Sequence, residues 1–253
     1  MAVSEIQVVQ AASRGVRGRL AVVFGGTGAV GSAVLRALHA AAVPAIFTYF
    51  SSAERAQALC TELGCRAQRV DLSDVASLSG FLEGVVADAA GPPDLFVHCA
   101  AHSRAVALSE LSIADFDRAC AVNGRAAFAA VRELGAAMGK AGGGDMVLCT
   151  ALDRGQTLPL PVHYAATQGL LGALAMAAGK ELGPLGVRIN AVALGPLGAG
   201  LSQTLDLRSR QDFEQFSALR RFGSPEEAAR VIVWLLLRNT YMNGRTLAAN
   251  GGI

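Results

Sequence analysis

Seven short apolar runs punctuate this chain, and apolar positions recur at helical spacing between them. The first run, Leu20 to Phe24, is apolar throughout and ends in glycines. A run of that length, bounded in that way, predicts a strand buried on both faces. Val30, Val34, Leu35 and Leu38 follow on one face of a predicted helix. The alternation repeats to the C-terminus. Further strands are predicted at Ala45–Tyr49, Ala67–Val70, Leu95–Cys99, Met146–Thr150, Val187–Ala193 and Thr246–Ala249. Near-continuous apolar strands alternating with helices predict an α/β fold. Its core is a mostly seven-stranded parallel sheet with helices on both faces. No repeat or linker interrupts the pattern, so a single domain is expected over 19–253, after a flexible leader over 1–18. The longest stretch without periodicity runs from Gly195 to about Arg221, between the last two strands. A substrate lid is expected there.

Composition narrows the function classes. With 253 residues, 52% of them hydrophobic, the chain can bury one large core. A net charge of +2 is too mild to argue for nucleic acid or an anionic membrane as partner. Apolar runs such as Val231 to Leu237 are far too short to span a bilayer. The polar N-terminus has no signal-peptide core. Five scattered cysteines read as reduced thiols of a cytoplasmic protein, and none has metal-ligand spacing with a histidine. No metal is expected.

The first strand leads into Gly25-Gly26-Thr27-Gly28-Ala29-Val30-Gly31, which contains Gly26-x-Gly28-x-x-Gly31 and opens the first helix. Glycines there make the tight turn and let a pyrophosphate approach the backbone. The helix N-terminus supplies N–H groups and positive dipole. A plain strand–helix turn uses glycine too. The strand before and the helix after favour a dinucleotide site and a Rossmann-type, doubly wound sheet. An NAD site places an acid near the end of the second strand. Here that strand ends Thr48-Tyr49-Phe50-Ser51-Ser52 with no acid, and Arg55 is close by. Two hydroxyls and a guanidinium suit a 2′-phosphate, so NADP(H) is the expected cofactor. The serines are also good caps for the following helix.

Taken together, these features resemble the short-chain dehydrogenase/reductase family over residues 18 to 253. Gly25, Ala29 and Gly31 fall on that family's glycine loop, with alanine for the middle glycine. Asp71, followed by Leu72, matches the acid that contacts the adenine amino group. His98-Cys99-Ala100-Ala101 stands where the family has Asn-Asn-Ala-Gly. Asn123 matches the asparagine that orders a proton-relay water. Arg188 to Gly195 resembles the N-A-x-x-P-G turn, with Leu194 for proline, and segments Arg220–Glu227 and Tyr241–Gly252 resemble the C-terminal signature. The cofactor site implied is Gly25, Thr27, Gly28, Val30, Gly31, Ser51, Ser52, Asp71, Leu72, Ala100 and Gln168.

The catalytic set departs from the family. Tyr164-Ala-Ala-Thr-Gln168 stands where Tyr-x-x-x-Lys is expected, and the chain's two lysines, Lys140 and Lys180, cannot take that spacing. The family serine falls on Ala151, thirteen residues before Tyr164. Thr150 is adjacent, but alternation aims it at the opposite face unless a bulge intervenes. The implied catalytic set is therefore Tyr164, Asn123, Gln168 and Ala151. Tyr164 and Gln168 share one helix face. Glutamine can hydrogen-bond the ribose but supplies no charge, so Tyr164 is expected to titrate near its ordinary value of about 10. A protonated phenol can still donate to a ketone. His102 and His163 are alternative acids, with His98 nearby. Asp153 and Arg154 are candidates for the pocket wall.

The reading favoured is an NADPH-dependent ketoreductase acting on a specialised small molecule, polyketide-like or polycyclic. The alternatives are a non-redox cyclase, dehydratase or isomerase, and a catalytically silent subunit. The small-residue stretch Gly169 to Ala178 predicts a helix that is either fully buried or packed closely on a twin, and the family resemblance implies the second, hence a homodimer or homotetramer.

Overall fold

Alternation along each strand builds two cores at once. In β1 (Ala21–Phe24), Val22 and Phe24 serve one face of the sheet, Ala21 and Val23 the other, and all four are fully buried. The computed structural model describes residues 19–88, 91–152 and 160–253. The leader expected over 1–18, together with Asp153 and Arg154, lies outside the described residues.

The remaining strands are β2 (Ala45–Tyr49), β3 (Arg66–Arg69), β4 (Leu95–His98), β5 (Gly144–Thr150), β6 (Val187–Leu194) and β7 (Thr246–Ala249). All pairings are parallel, in the order β3-β2-β1-β4-β5-β6-β7. The predicted doubly wound, seven-stranded sheet is what forms. Its strand order reverses between β1 and β4, where such sheets open a ligand crevice at the strands' C-terminal ends. β3 begins and ends one residue earlier than expected, and its exposed arginines suit an edge strand.

The helices are α1 (Ala29–Ala40), α2 (Ala53–Leu63), α3 (Val75–Val86), α4 (Ile113–Ala119), α5 (Ala126–Lys140), α6 (Val162–Leu182), α7 (Leu207–Phe216) and α8 (Pro225–Leu237). Val34, Leu35 and Leu38 of α1 and Ile232, Leu235 and Leu236 of α8 pack with Val23, Phe47 and Val97 on one face. On the other face, Phe81 of α3, Leu134 and Met138 of α5 and Leu171 of α6 pack with Phe24, Phe96 and Met146. Each such side chain contributes about 1.5–3 kcal/mol by leaving water. Phe24 meets Phe96 edge-on at 5.1 Å, which stiffens the strand that feeds the glycine loop.

The segment expected to be an irregular lid is partly regular. Gly200–Thr204 forms a 3-10 turn and α7 follows it. The Asp206 carboxylate accepts from the Ser209 N–H and caps α7. Phe213 is the helix's one buried residue, so the sequence carries no apolar stripe to announce it.

Candidate active site

The glycine loop is built by its neighbours. The Thr48 hydroxyl accepts from Gly25 N–H at 3.2 Å and its carbonyl from Gly26 N–H at 2.9 Å, tying the loop to β2. Gly25 has φ +78°, a conformation that favours glycine. A Cβ on Gly31 would lie 2.2 Å from the Gly25 carbonyl oxygen. These glycines are explained by the turn itself. Gly28 is different. It is exposed, and a Cβ there would meet only the Gly25 oxygen, at 3.2 Å. Gly28 also lines the large cavity, so its missing side chain keeps that space clear for a ligand.

That cavity, of about 1240 Å³, opens at the C-terminal ends of the central strands, where the strand order reverses. Small-molecule pockets are typically about 300–1,000 Å³, so it has room for a dinucleotide and a second molecule. Gly25, Thr27, Gly28, Val30 and Ser51 line one end, with Asp71, Leu72 and Ala100. Gly31 is buried behind the loop, and Ser52 stands outside at the N-cap of α2 without a side-chain cap bond. Arg55 is not part of the wall; it reaches the Ser32 hydroxyl at 3.5 Å. Asp71 accepts from both the N–H and the hydroxyl of Ser73, which holds its carboxyl below the usual range and keeps it an acceptor.

Ala151, Tyr164 and Gln168 meet at the other end of the cavity. Tyr164 sits in the first turn of α6, with Gln168 one turn on and 2% exposed. Gln168 Oε1 accepts from Ala151 N–H at 3.0 Å. That bond fixes the amide's orientation and leaves Nε2 as the group free to donate. Nε2 has no partner among the described residues, and Gln168 lines the cavity. The Thr150 hydroxyl donates to the Gln168 carbonyl at 2.9 Å, and β5 pairs without a bulge, so Thr150 does not replace the missing serine. Burial, with a smaller contribution from Cys149, pushes the Tyr164 phenol up to about 12. The expected value near 10 was too low because it left out desolvation.

Asn123 takes a position outside the cavity wall. It lies in a π-helical turn, Cys120–Arg125, and is fully buried. Its amide donates to the His102 carbonyl and the Thr167 hydroxyl, each at 2.9 Å, and accepts from His102 N–H. Both N–H donors of the side chain are engaged, and it pins the loop after β4 to α6. His163 lies outside the cavity wall: it is buried, burial lowers its pKa, and its Nε2 accepts from Arg104 N–H. His98 is also unsuited. Burial pulls it down to about 4, and its ring packs against Phe24. His102 does line the cavity, with burial and Arg118 lowering its pKa.

Cys99 and Cys149 are also in the cavity wall, which the sequence reading did not anticipate. Their positions at strand C-terminal ends were the available signal. Leu197, Leu201 and Phe213, from the segment between β6 and α8, add apolar side chains to the cavity wall.

Comparison with known proteins places this geometry. A family model described as enoyl-(acyl carrier protein) reductase matches residues 26–253. The chain belongs to the short-chain dehydrogenase/reductase family. This oxidoreductase family includes an uncharacterized oxidoreductase of Bacillus subtilis, 29% identical over 248 residues, covering 92% of this chain and 96% of that protein. A 3-oxoacyl-[acyl-carrier-protein] reductase of Aquifex aeolicus is 28% identical, covering 94% and 98%. A blue fluorescent protein from a metagenomic library, solved in complex with NADPH, superposes with TM-score 0.84 at 27% identity, covering 94% of this chain and 99% of that one. Among the described residues of this family member, no helix is long and apolar enough to cross a membrane. No group of three possible metal ligands occurs among them either.

Proposed function

We propose that the protein is an NADPH-dependent ketoreductase for a bulky, largely apolar carbonyl compound, with Tyr164 as a neutral proton donor. The observation that carries this reading is one cavity joining the cleared glycine loop to Tyr164 and Gln168. The cofactor, when bound, supplies the hydride. The loop amides and the N-terminus of α1 would hold its phosphates, Asp71 its adenine, and Gln168 Nε2 its ribose. Tyr164 holds its proton at every ordinary pH and can donate it to a carbonyl oxygen. The apolar lid residues exclude water. Five free thiols support a reducing, cytoplasmic setting. The test is stoichiometric NADPH oxidation in a screen of polycyclic and polyketide-like ketones. Conversion without net redox change would favour the second reading, an acid–base enzyme, which the loss of lysine and serine supports.

NADPH is expected to bind more tightly than NADH. Ser51 and Ser52 are exposed near the end of β2, and the Ser52 hydroxyl is not engaged in capping. Arg69, stacked on Phe50 and bonded to its carbonyl, adds positive charge at that edge. Calorimetry with both cofactors decides this, and equal or tighter NADH binding would refute it.

We also propose a homodimer or homotetramer built on α5 and α6. Phe128 and Leu170 are 51% and 41% exposed and border one apolar groove with Ala173 and Ala177. A monomer gains nothing by leaving such a patch in water. Light scattering is expected to give a multiple of 26.0 kDa, and Leu170→Glu to shift the protein towards monomer. A wild-type monomer at micromolar concentration overturns the proposal.

A further inference from the structure

Two thiols face each other in the wall of the cofactor cavity. Cys149 lies on β5, and Cys99 is the first residue beyond β4. The strands are parallel neighbours with His98 opposite Leu148, so the next pair in register is Cys99 and Cys149. Their sulfurs are 3.5 Å apart, and both residues line the cavity. Neighbouring strands lie roughly 4.8 Å apart. A disulfide bridges Cα atoms about 4.4–6.8 Å apart with a sulfur–sulfur bond of about 2.05 Å. The backbone spacing already suits a disulfide, so closure asks for side-chain rotation, and the strain of holding χ angles away from their resting values falls on the ends of β4 and β5.

We propose that Cys99 and Cys149 form an oxidisable dithiol that a peroxide closes to a disulfide, and that closure weakens dinucleotide binding. The second half rests on the cofactor reading given above. In the first step, the thiolate of one cysteine attacks a peroxide oxygen. The O–O bond breaks, a sulfenic acid forms, and the released hydroxide takes up a proton to leave as water. In the second step, the other cysteine's sulfur attacks the sulfenic sulfur. The S–O bond breaks, and a second water leaves with the remaining thiol proton. Two thiols and hydrogen peroxide thus give one disulfide and two waters; sulfur is oxidised and peroxide reduced.

Two tight contacts carry closure to the cofactor site. Ala100 follows Cys99 directly and packs on Gly25 so closely that a Cβ there would lie 2.8 Å from Ala100 backbone atoms. Ala151, two residues after Cys149, holds the Gln168 amide. Drawing the sulfurs together pulls on both the phosphate loop and the ribose-holding glutamine. By reciprocity, bound cofactor shifts the equilibrium away from the closed disulfide. The bond to Cys149 and burial keep the Cys99 thiol protonated well above the usual range. Thiolate is therefore scarce at neutral pH, and closure accelerates as pH rises.

Cys60 and Cys65 also interact, far from the cavity, so the experiment uses a Cys60→Ser/Cys65→Ser background beside the wild type. Each protein is treated with hydrogen peroxide, alkylated, digested without reduction and read by mass spectrometry. NADPH affinity is measured before and after treatment, and again after dithiothreitol. The expected result is a peptide joining Cys99 to Cys149, lighter by two hydrogens. NADPH binding should weaken about five-fold or more and recover on reduction. Adding Cys149→Ser should abolish both the link and the peroxide effect, relative to that variant's own untreated affinity. No Cys99–Cys149 peptide at any pH from about 7 to about 9 overturns the dithiol. A linked peptide with unchanged affinity overturns the coupling. Protein that never binds NADPH overturns the cofactor reading and the coupling together, while the linked peptide still decides the dithiol.

Discussion

Tyr164→Phe is expected to lower kcat for carbonyl reduction at least ten-fold, a loss of about 1.4 kcal/mol or more of transition-state stabilisation. The substitution keeps the ring in its place in the cavity wall and removes only the hydroxyl. Proton donation by a positioned group is worth about 10²–10⁴-fold, so a ten-fold loss is the low end of the expectation. The pH profile gives a second readout. The acid form of the phenol is the donor, and with its pKa pushed up to about 12 it persists through the whole ordinary range. Reduction should therefore stay flat through neutral pH and weaken only at strongly alkaline pH. Alcohol oxidation needs the phenolate, so it should be slow and rise with pH. Gln168→Lys restores a cation one helical turn away and should lower the phenol's pKa, speeding oxidation near neutrality. It also takes the acceptor from Ala151 N–H, a loss of about 1–3 kcal/mol in stability. Wild-type turnover in Tyr164→Phe would move the donor role to His102 or to the substrate.

The fold was legible because parallel strands buried on both faces are written as continuous apolar runs. Val22 and Phe24 supply one core and Ala21 and Val23 the other, from a single run of residues. α7 was not legible, since a helix with one buried residue has no period to read. The cavity's two ends were legible as motifs, with Gly28 at one end and Tyr164 and Gln168 at the other. What motifs cannot carry is orientation. Asn123 matches a family position, yet its side chain is turned to His102 and Thr167 and away from the cavity wall. His163 sits beside Tyr164 in sequence and faces Arg104 in space. Desolvation of Tyr164 and the meeting of Cys99 with Cys149 both arise from elements distant along the chain. No local spacing encodes them.

Gly28→Ala and Gly31→Ala should lose cofactor by different routes, and the contrast tests whether the glycine loop is a binding surface or only a turn. A Cβ at Gly31 meets backbone: the Gly25 carbonyl oxygen at 2.2 Å and the Gly26 Cα at 2.9 Å. Backbone cannot rotate aside, so the whole loop must shift. Overpacking of this kind destabilises by about 1–3 kcal/mol. For a chain of this length, Tm should fall by about 2–4 °C per kcal/mol. NADPH affinity should fall at least about ten-fold, a difference of about 1.4 kcal/mol, because the displaced loop no longer presents its amides. A Cβ at Gly28 meets only the Gly25 oxygen, at 3.2 Å, and otherwise enters the cavity. Gly28 already has φ −69°, which alanine adopts without strain. The Gly25 carbonyl need give by only a few tenths of an ångström at 3.2 Å, so Gly28→Ala should lower Tm by less than Gly31→Ala does. Its NADPH affinity should nevertheless drop about ten-fold, because the methyl occupies the space that the phosphates need. Thermal melts and calorimetry on the two variants separate the routes. If Gly28→Ala binds NADPH as wild type does, the cleared space at Gly28 is not a phosphate seat, and the glycine loop is a turn alone.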